Sequence, residues 1–595
     1  MQAVERPSTS RPAPTQSASG PSAVGPKNGS FDLLAPMQIV GEGPSASLVD
    51  GSSVDSAFQV SAPQVALKGL AVRHGAEAGA IVNTGQLTLE NVAVVDAPRG
   101  IFNQGSLSVR HGILEGDGQG IAGPPGGAIL NDAGATAVIT DSLISENSGF
   151  HGAGAYNAGD LTIERTSLIG NAGGGTGCGG GVWSGGAGTL TLVDDTLVGN
   201  HCNLSSHGGG LYVEAGSAQL VNVTITSNAS DLDGGGIFAN SGATIFLKNS
   251  IVSGNSSLSP SAMPSECGGA ILSGDYDLIG ARATCVLTGV VDHVNATDVD
   301  PGLDPLGANG GFAPDQRSTT FGPTVEVIPP ASCTDPFGAP LTVDGRGYRR
   351  SGSCDIGADQ RAGRYAPSPL LGVELLRNGG AAGDELGLAS DGSSADPPYW
   401  MQPSGGMTQV LYGSPGGFPS RSDAPEGSGS YFFAGDANAP TFTSSSQQID
   451  VSPVSAQIDA GLIGFATSGA FGGFGSYDDY ATLTVAFEDA FLSPLLTVGI
   501  GGFNAADRGN ATKLLPDSRS GTVPAGTRLI EVALTATRLQ TDTTYNNGYA
   551  DDLSLKLPEP AHGSLAAAAV GALAALRRRT GTVAPAVDGA PREEH

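Results

Sequence analysis

The chain has 595 residues, of which 92 are glycine and only 14% are charged. Acidic residues outnumber basic ones by 57 to 28, and the formal net charge of -29 argues against nucleic acid and anionic membranes as partners. A chain this rich in glycine and this poor in charge is turn-dense rather than disordered through its middle, and its length allows several domains.

Residues 1–29 predict a disordered N-terminal segment rich in serine, proline and alanine. Met1 to Pro26 contains no apolar run of the kind that a secretory signal needs. We therefore expect either that translation starts further upstream than Met1 or that export follows an unusual route, and we favour a misassigned or truncated start.

A glycine-rich motif recurs through residues 30–362 and predicts stacked repeats. One copy reads Gly127-Ala-Ile-Leu-Asn131 and the next reads Gly154-Ala-Tyr-Asn157. Short runs such as Leu161-Thr-Ile163 follow the motif and are typical of strands. The equivalent positions, spaced 20 to 34 residues apart, are Val82, Phe102, Leu130, Tyr156, Trp183, Tyr212, Phe238 and Leu272. This period predicts an all-β fold, a parallel β-helix of about eight to eleven coils.

A second marker follows in phase with the first and predicts an asparagine ladder. Asn147, Asn171, Asn200, Asn228 and Asn255 are spaced 24, 29, 28 and 27 residues apart. Equivalent asparagines of stacked coils can hydrogen-bond from one coil to the next through their side-chain amides.

The end of the array carries a family resemblance. It contains Asp300-Pro-Gly-Leu-Asp304, then Asp344-Gly-Arg-Gly347 and Cys354-Asp-Ile-Gly357. Together with the glycine motifs, these segments resemble the right-handed β-helix of polymorphic outer membrane protein repeats and the closing segment of choice-of-anchor Q proteins. The resemblance covers about residues 30 to 360, and it implies a secreted protein held at a cell surface and no particular reaction.

Six cysteines lie within or at the end of the predicted β-helix. Six cysteines allow fifteen pairings, of which the pairing of neighbours would join successive coils: Cys178 with Cys202, Cys267 with Cys285, and Cys333 with Cys354. An even count suits an oxidising compartment. The alternative is that the thiols are free and buried.

A polar column on the predicted rod raises the question of catalysis. Alignment of the repeats makes Asn91, His111, Asp141, Arg165, Asp194 and Asn222 equivalent. In a polysaccharide lyase or glycoside hydrolase, Asp141, Arg165 and Asp194 would supply the base and the paired carboxylates. The simpler interpretation is a ladder of turn residues, since this position also favours Asn and Asp. We therefore expect no enzyme activity and keep the lyase or hydrolase as the alternative.

Residues 363–557 have a different composition and predict a β-sandwich. The glycine motif disappears, and alternating runs such as Ala481–Phe487, Leu495–Ile500 and Arg528–Leu534 replace it. The opening Glu374-Leu-Leu-Arg-Asn378 and the closing Tyr549-Ala-Asp551-Asp552 resemble the terminal strands of jelly-roll modules that bind galactose and other carbohydrates. That resemblance implies that the two terminal strands lie side by side.

The same resemblance implies two kinds of site in the sandwich. A structural calcium ion would take Asp552 as its carboxylate ligand, with carbonyl oxygens near Asn378, as calcium collects oxygens from mixed sources. The alternative is that Asp551 and Asp552 are ordinary turn carboxylates. For glycan binding, Tyr399, Trp400, Tyr477 and Tyr480 are the candidates, because a sugar ring stacks on an exposed aromatic side chain. The alternative for these four is core or rim packing.

Residues 558–595 supply a predicted sorting tail. Pro558-Glu559-Pro560 precedes an apolar run from Gly563 to Leu576, and then Arg577, Arg578 and Arg579. This order resembles the PEP-CTERM sorting signal of Gram-negative bacteria, which implies an exosortase-type sorting machinery as partner. Sixteen further residues follow the arginines, where such signals normally stop. The alternative is an alanine-rich surface helix with a basic end.

Together these features predict a non-enzymatic protein of the cell surface or the extracellular matrix. It would be a structural or adhesive scaffold, secreted by a Gram-negative bacterium, whose sandwich binds an extracellular polysaccharide or cell-surface glycan. No cofactor is expected apart from structural calcium.

Overall fold

The computed structural model describes residues 29–119, 125–175, 177–258, 263–281, 285–289, 299–319, 322–350, 352–361, 363–367, 369–381, 397–404, 407–425, 428–429, 431–435, 441–539 and 546–559. The disordered segment predicted for residues 1–29 therefore lies almost wholly outside the described residues.

The first half of the chain is a parallel β-solenoid, and one of its faces is built by the glycine-rich motif. Ten short strands form this first sheet: Phe31–Leu33, Phe58–Val60, Ile81–Asn83, Ile101–Asn103, Ile129–Asn131, Ala155–Asn157, Val182–Ser184, Leu211–Val213, Ile237–Ala239 and Cys267–Gly268. In each strand from Ile81 to Ala239 the first and third residues are buried, while the middle residue is partly exposed except at Tyr212, which is buried. Each copy of the glycine-rich motif therefore forms one strand of the first sheet and marks one coil.

The strand register confirms the predicted equivalence for seven of its eight positions. Phe102 pairs with Leu130, Tyr156 pairs with Trp183, and Tyr212 pairs with Phe238. Leu272 was wrongly aligned with them, because Gly268 pairs with Phe238 while Leu272 pairs with Phe246 in the second sheet. The extra residues before Cys267 lengthen the last coil, so its Ala-Ile-Leu run falls one strand later.

The second sheet supplies most of the wall of the solenoid. In this sheet most coils contribute a pair of strands joined by two residues, the first of which has a left-handed backbone, such as Thr136–Thr140 and Leu143–Ser145 on either side of Asp141 and Ser142. Its other strands are Met37–Val40, Leu48–Asp50, Val65–Arg73, Gln86–Val95, Ser106–Arg110, Ile113–Glu115, Asp160–Glu164, Ser167–Ile169, Thr189–Val193, Thr196–Val198, Ser217–Val221, Thr224–Thr226, Thr244–Lys248, Ile251–Ser253, Ala270–Ser273, Leu278–Ile279 and Val286–Gly289.

A third, narrow sheet closes the cross-section of the coils. Its two-residue strands are Ser148–Gly149, Ala172–Gly173, His201–Cys202, Ala229–Ser230, Ser256–Ser257 and Met263–Pro264, of which the last is antiparallel. The three sheets enclose one continuous aliphatic core of Val, Leu, Ile and Ala side chains.

Two ladders of buried amides run along the solenoid. In the predicted ladder each side-chain nitrogen donates to the next coil, as from Asn171 to Asn200 Oδ1 at 2.8 Å, and the series ends on the carboxylate of Glu266. Asp117 occupies the position before Asn147. A second ladder, from Asn83 through Asn103, Asn131 and Asn157 to Ser184, follows the end of the first sheet's strands.

All six cysteines are described, and all are paired. The disulfides are Cys178–Cys202, Cys267–Cys285 and Cys333–Cys354, the neighbouring pairs that the spacing favours. The first two tie solenoid coils and loops together, whereas the third lies in the segment that follows the solenoid.

The C-terminal part is a sandwich of two antiparallel sheets around a shared core. One sheet contains Met401–Ser404, Phe442–Asp450, Leu529–Thr537, Tyr480–Glu488 and Pro494–Gly501 in spatial order, and the other contains Met407–Leu411, Tyr431–Gly435, Gly548–Lys556, Gly464–Gly473 and Lys513–Thr522. The described helices are Ser455–Asp459 and the 3-10 turns Arg421–Asp423 and Ser452–Val454. Glu374 bridges to Lys556, and Leu553 donates to Gly379, so the opening and closing segments lie side by side.

Candidate functional site

The predicted polar column is a ladder of left-handed turn residues. Their φ angles lie between 47° and 57° and belong to Asn91, His111, Asp141, Arg165, Asp194, Asn222 and Asn249, which we call the turn ladder. Asn91 lies within the strand Gln86–Val95, and each of the others stands between the two strands of its coil in the second sheet. Asparagine and aspartate tolerate this conformation best, and this accounts for most of the column.

The charged members of the turn ladder are paired with other protein groups. Arg165 donates to both carboxylate oxygens of Asp141, with Nε–Oδ1 at 2.8 Å and Nη2–Oδ2 at 3.1 Å. Asp194 lies 2.5 Å from a guanidinium nitrogen of Arg350, and both side chains are 2% exposed. A bidentate or fully buried pair of this kind is a structural contact.

The electrostatic environment of the ladder follows from its burial. Burial lowers the pKa of His111 to about 4, against the attraction of Asp141, so the imidazole is neutral at pH 7. Burial opposes ionisation of Asp141, but the hydrogen bonds and charge of Arg165 hold its pKa below the usual range. Burial raises the pKa of Asp194 to about 7, although Arg350 opposes this.

The turn ladder is covered by the segment 299–361, which folds back along the solenoid. Asn222 donates to the carbonyl oxygens of Asp355 and Gly357, and Asn249 donates to that of Ser332. At the other end of the ladder, the His111 ring stacks on Phe312 at 5.2 Å. The ladder and this segment together form what we call the docking seam. A polymer substrate would have to displace the segment to reach Asp194, and it would have to break an ion pair to engage Asp141 or Arg165.

A cluster of buried charges stabilises the covering segment from within. Arg346 donates to Asp344 at 2.6 Å and lies 3.7 Å from Asp359. Burial raises the pKa of Asp359 well above its usual value, and the neighbouring charge of Asp315 adds to that effect. Burial likewise raises the pKa of Asp315. Sequence reasoning did not single out these residues, although Asp344 and Arg346 stand in the Asp-Gly-Arg-Gly motif that carries the family resemblance.

Two of the four predicted glycan-binding aromatics are buried, so the prediction of a stacking platform at Tyr399 and Trp400 is wrong. Their exposures are 1% and 0%. Tyr399 packs beneath the guanidinium of Arg377, 3.4 Å from the ring centroid, and against His111. Trp400 lies in the sandwich core, where its Nε1 donates to the carbonyl oxygen of Asn378 at 3.2 Å. Their contacts join the sandwich to the docking seam.

The other two aromatics lie at an open end of the sandwich. Tyr480 begins a strand and lines an open depression of about 680 Å³. The depression is also lined by Asp478, Thr482, Gly502, Asn504, Ala506 and Leu539. Tyr477 is half-buried and packs against Phe474, with ring centroids 5.5 Å apart. The arrangement places one aromatic ring beside carboxylate, amide and hydroxyl groups.

A buried arginine holds the loops around this depression. The Arg508 side chain is fully buried, and it donates to the carbonyl oxygens of Gly473, Tyr477 and Ala511. Burial lowers the pKa of Arg508 from its usual value. Its hydrogen bonds connect residues 473–477 with residues 508–511, next to the residues that line the depression.

The predicted calcium ligands lie on the adjoining terminal segments but contact protein partners. Asp552 accepts a hydrogen bond from Ser428 at 2.7 Å, and the Asn378 side chain donates to the Pro398 carbonyl. Neighbouring Asp551 is buried and accepts from the Tyr412 hydroxyl at 2.6 Å, and burial raises its pKa to about 8. Across the part of the chain that is described, no cluster of three or more His, Cys, Asp or Glu side chains could hold a metal ion. Calcium at Asp552 stays a prediction.

The predicted sorting signal lies mostly beyond the described residues. Pro558 and Glu559 are exposed directly after the last strand, whereas Pro560, Arg577, Arg578 and Arg579 are outside the described part. In the described ranges, the helices are too short and too polar to cross a membrane.

Comparisons with known proteins add little to these observations. No family model matches the chain, and no curated protein matches it. Among solved structures, the enzymatically active domain of tailspike protein 4 from bacteriophage CBA120 is similar, with 12% sequence identity and a TM-score of 0.19. The similarity covers 89% of this chain and 64% of that domain, which is less than two thirds of its length. A likeness this weak supports no conclusion about fold or function.

Proposed function

We propose that this protein is a non-enzymatic scaffold of the cell surface or extracellular matrix. The observation that carries the proposal is the state of the turn ladder. Asp141 and Arg165 are paired with each other, and Asp194 is paired with Arg350 and buried beneath the segment 299–361. A solenoid enzyme needs such groups open to a polymer, since a general base must come within hydrogen-bond reach of its substrate.

An extracellular location fits the covalent chemistry of the chain. Three disulfides among the described residues suit an oxidising compartment, because thiols are kept reduced in the cytosol. We extend the proposal to export by a Gram-negative bacterium, with Pro558-Glu559-Pro560 and the arginines at 577–579 as the signal that an exosortase-type machinery reads.

We further propose that the sandwich binds a glycan at the depression lined by Tyr480. A sugar needs an aromatic ring for its C–H face and fixed polar groups for its hydroxyls, and Tyr480, Asp478 and Asn504 offer that set. The surrounding acidic charge favours a neutral polysaccharide over a uronic acid polymer.

Binding of neutral polysaccharides by the full chain tests the glycan proposal. We expect Tyr480→Ala to weaken binding at least tenfold, because stacking is lost, while Tyr477→Ala, which alters a neighbouring packed ring, changes the affinity less than threefold. Isothermal titration with and without calcium would measure both effects. Equal affinities of Tyr480→Ala and the unaltered chain would rule out this depression as the site.

A further inference from the structure

The depression that Tyr480 lines also contains exposed aliphatic surface. Leu539 is 55% exposed there, and the exposed methyl group of Ala506 lines the same depression. The hydroxyl groups around the rim of a hexose gain nothing from such a surface, because they need hydrogen-bond partners. The depression therefore offers more apolar surface than the stacking of one sugar ring on Tyr480 would use.

A buried carboxylate holds Leu539 in its place. The Leu539 N–H donates to Oδ1 of Asp479 at 2.7 Å, and the Asn547 N–H donates to Oδ2 of the same side chain at 3.1 Å. Asp479 is fully buried, whereas its neighbour Asp478 is exposed and lines the depression. The aliphatic side chain is thus anchored through the residue that stands between Asp478 and Tyr480 in the chain.

The polar groups of the depression comprise an oriented donor and an acceptor. Oδ1 of Asn504 accepts from the Asp507 N–H at 3.1 Å, and the Asp507 carboxylate accepts from the Asn504 N–H at 3.0 Å. This reciprocal pair engages the amide oxygen, so the atom that Asn504 can offer to a ligand is Nδ2, which donates. Asp478 accepts from the Ala505 N–H at 3.2 Å through Oδ1, and its carboxylate can only accept.

We propose that the sugar bound in this depression carries an acetamido group, as in a polymer of N-acetylhexosamine. The assignment rests on the proposed glycan binding and names the class of sugar. An acetamido group presents an N–H donor, a carbonyl acceptor and a methyl group, which are the counterparts of Asp478, Asn504 and Leu539. Burial of the methyl group against Leu539 removes apolar surface of both from water, while the sugar ring stacks on Tyr480.

Two other sugars would use the depression less completely. A plain hexose has a hydroxyl in place of the acetamido group and would leave Leu539 in water. A hexosamine with a free amine would be attracted to Asp478 and to the acidic chain as a whole, but it too would leave Leu539 uncovered. These two sugars are therefore the proper comparisons in a binding experiment.

Isothermal titration of the full chain with three matched pentasaccharides tests the assignment. Chitopentaose, cellopentaose and the fully deacetylated chitosan pentamer share one β-1,4 backbone and differ at C2, which carries an acetamido group, a hydroxyl or an amine. We expect chitopentaose to bind at least tenfold more tightly than cellopentaose, since a site built to pair with a substrate group discriminates against an analogue that lacks it. It should also exceed the chitosan pentamer at about 0.15 M salt, where charge attraction is screened.

Each other outcome of the titration overturns the assignment. Equal affinities for chitopentaose and cellopentaose would do so while leaving glycan binding intact. Tighter binding of the chitosan pentamer would mean that the charge of Asp478 selects the sugar. If none of the three binds, the assignment fails, and the titration of neutral polysaccharides with Tyr480→Ala decides separately whether the depression binds glycan.

Substitution of Leu539 locates the acetamido group within the depression. Leu539→Ser should lower the affinity for chitopentaose at least fivefold and that for cellopentaose less than twofold, because only the acetyl methyl contacts this side chain. Leu492→Ser is the matched control, since Leu492 is 50% exposed and lies beyond the far end of the strand that begins at Tyr480. Equal affinities of Leu539→Ser and Leu492→Ser for chitopentaose would contradict the assignment.

Discussion

At the scale of residues, the turn ladder illustrates how one position can be polar for two different reasons. Asn91, Asn222 and Asn249 suit the left-handed backbone, whereas Asp194 contributes a charge that is buried with Arg350. That partner is 156 residues away in sequence. A column of mixed charge on a solenoid can therefore mark where another segment docks.

The Asp194–Arg350 pair gives the first prediction. Asp194→Ala leaves the buried guanidinium without its carboxylate, which costs about 3–5 kcal/mol in comparable pairs. We expect a large fall in the thermal midpoint and easier proteolysis of residues 299–361. Lys68→Met, which removes the half-exposed pair with Glu90, should cost under about 1 kcal/mol. Similar midpoints for the two variants would contradict the docking role of Asp194.

The carboxyl pair Asp315 and Asp359 gives a prediction for pH. An unfolded aspartate titrates near pH 4, but burial raises the folded pKa of both groups. As the pH rises above about 4, the unfolded chain loses these protons first, so their contribution to folding is present at low pH and is lost as pH rises toward the folded pKa values.

Asp359→Asn isolates that contribution, because the amide cannot ionise. Relative to the unaltered chain, the variant should gain stability steadily as the pH rises from 4 to 8. The measurement is the difference in thermal midpoint between the variant and the unaltered chain at each pH. The repulsion among the other carboxylates affects both proteins equally and therefore cancels in this difference. If the thermal midpoints of the two proteins changed with pH in parallel, Asp359 would already be ionised in the folded protein.

At the scale of elements, the coils are held in register by their buried amides as well as by the core. Asn200 accepts from Asn171 and donates to Asn228 and to the Leu168 carbonyl. We expect Asn200→Ala to destabilise the protein by about 2–4 kcal/mol, because it leaves buried groups of neighbouring coils unsatisfied. Asn240→Ala, in a turn outside both ladders, should change stability by less than about 1 kcal/mol. Chemical denaturation measures both, and equal losses would show that the ladder has no special role.

The coils could be predicted from the sequence because the structure of each repeat is determined by residues within that repeat. A strand, its inward residues and its ladder asparagine recur within one period, and the register follows from the spacing. The same reasoning misplaced Leu272, where an irregular last coil breaks the period. It also left open whether Tyr399 and Trp400 are exposed glycan platforms or core residues, since their burial depends on His111, Arg377 and Asn378, whose proximity no local pattern encodes.

At the scale of the whole molecule, the solenoid, the segment 299–361 and the sandwich pack against one another. The segment 299–361 covers part of the turn ladder, and the start of the sandwich meets the early coils, where the Tyr399 ring packs against His111. Phe312 and Tyr399 complete an apolar contact with Ala71, Ala93 and Ile113 of the solenoid wall. The order of domains along the chain could be predicted, but this folding back depends on side chains distant in sequence.

The most direct test of the scaffold account is an assay of polysaccharide cleavage. A panel of neutral and acidic polysaccharides is incubated with the full chain in the presence of calcium, and released reducing and unsaturated ends are measured. The account predicts no release above that of a chain carrying Asp141→Asn, Arg165→Gln and Asp194→Asn together. Release by the unaltered chain that disappears in this triple variant, with the fold intact by circular dichroism, would contradict it and establish an enzyme.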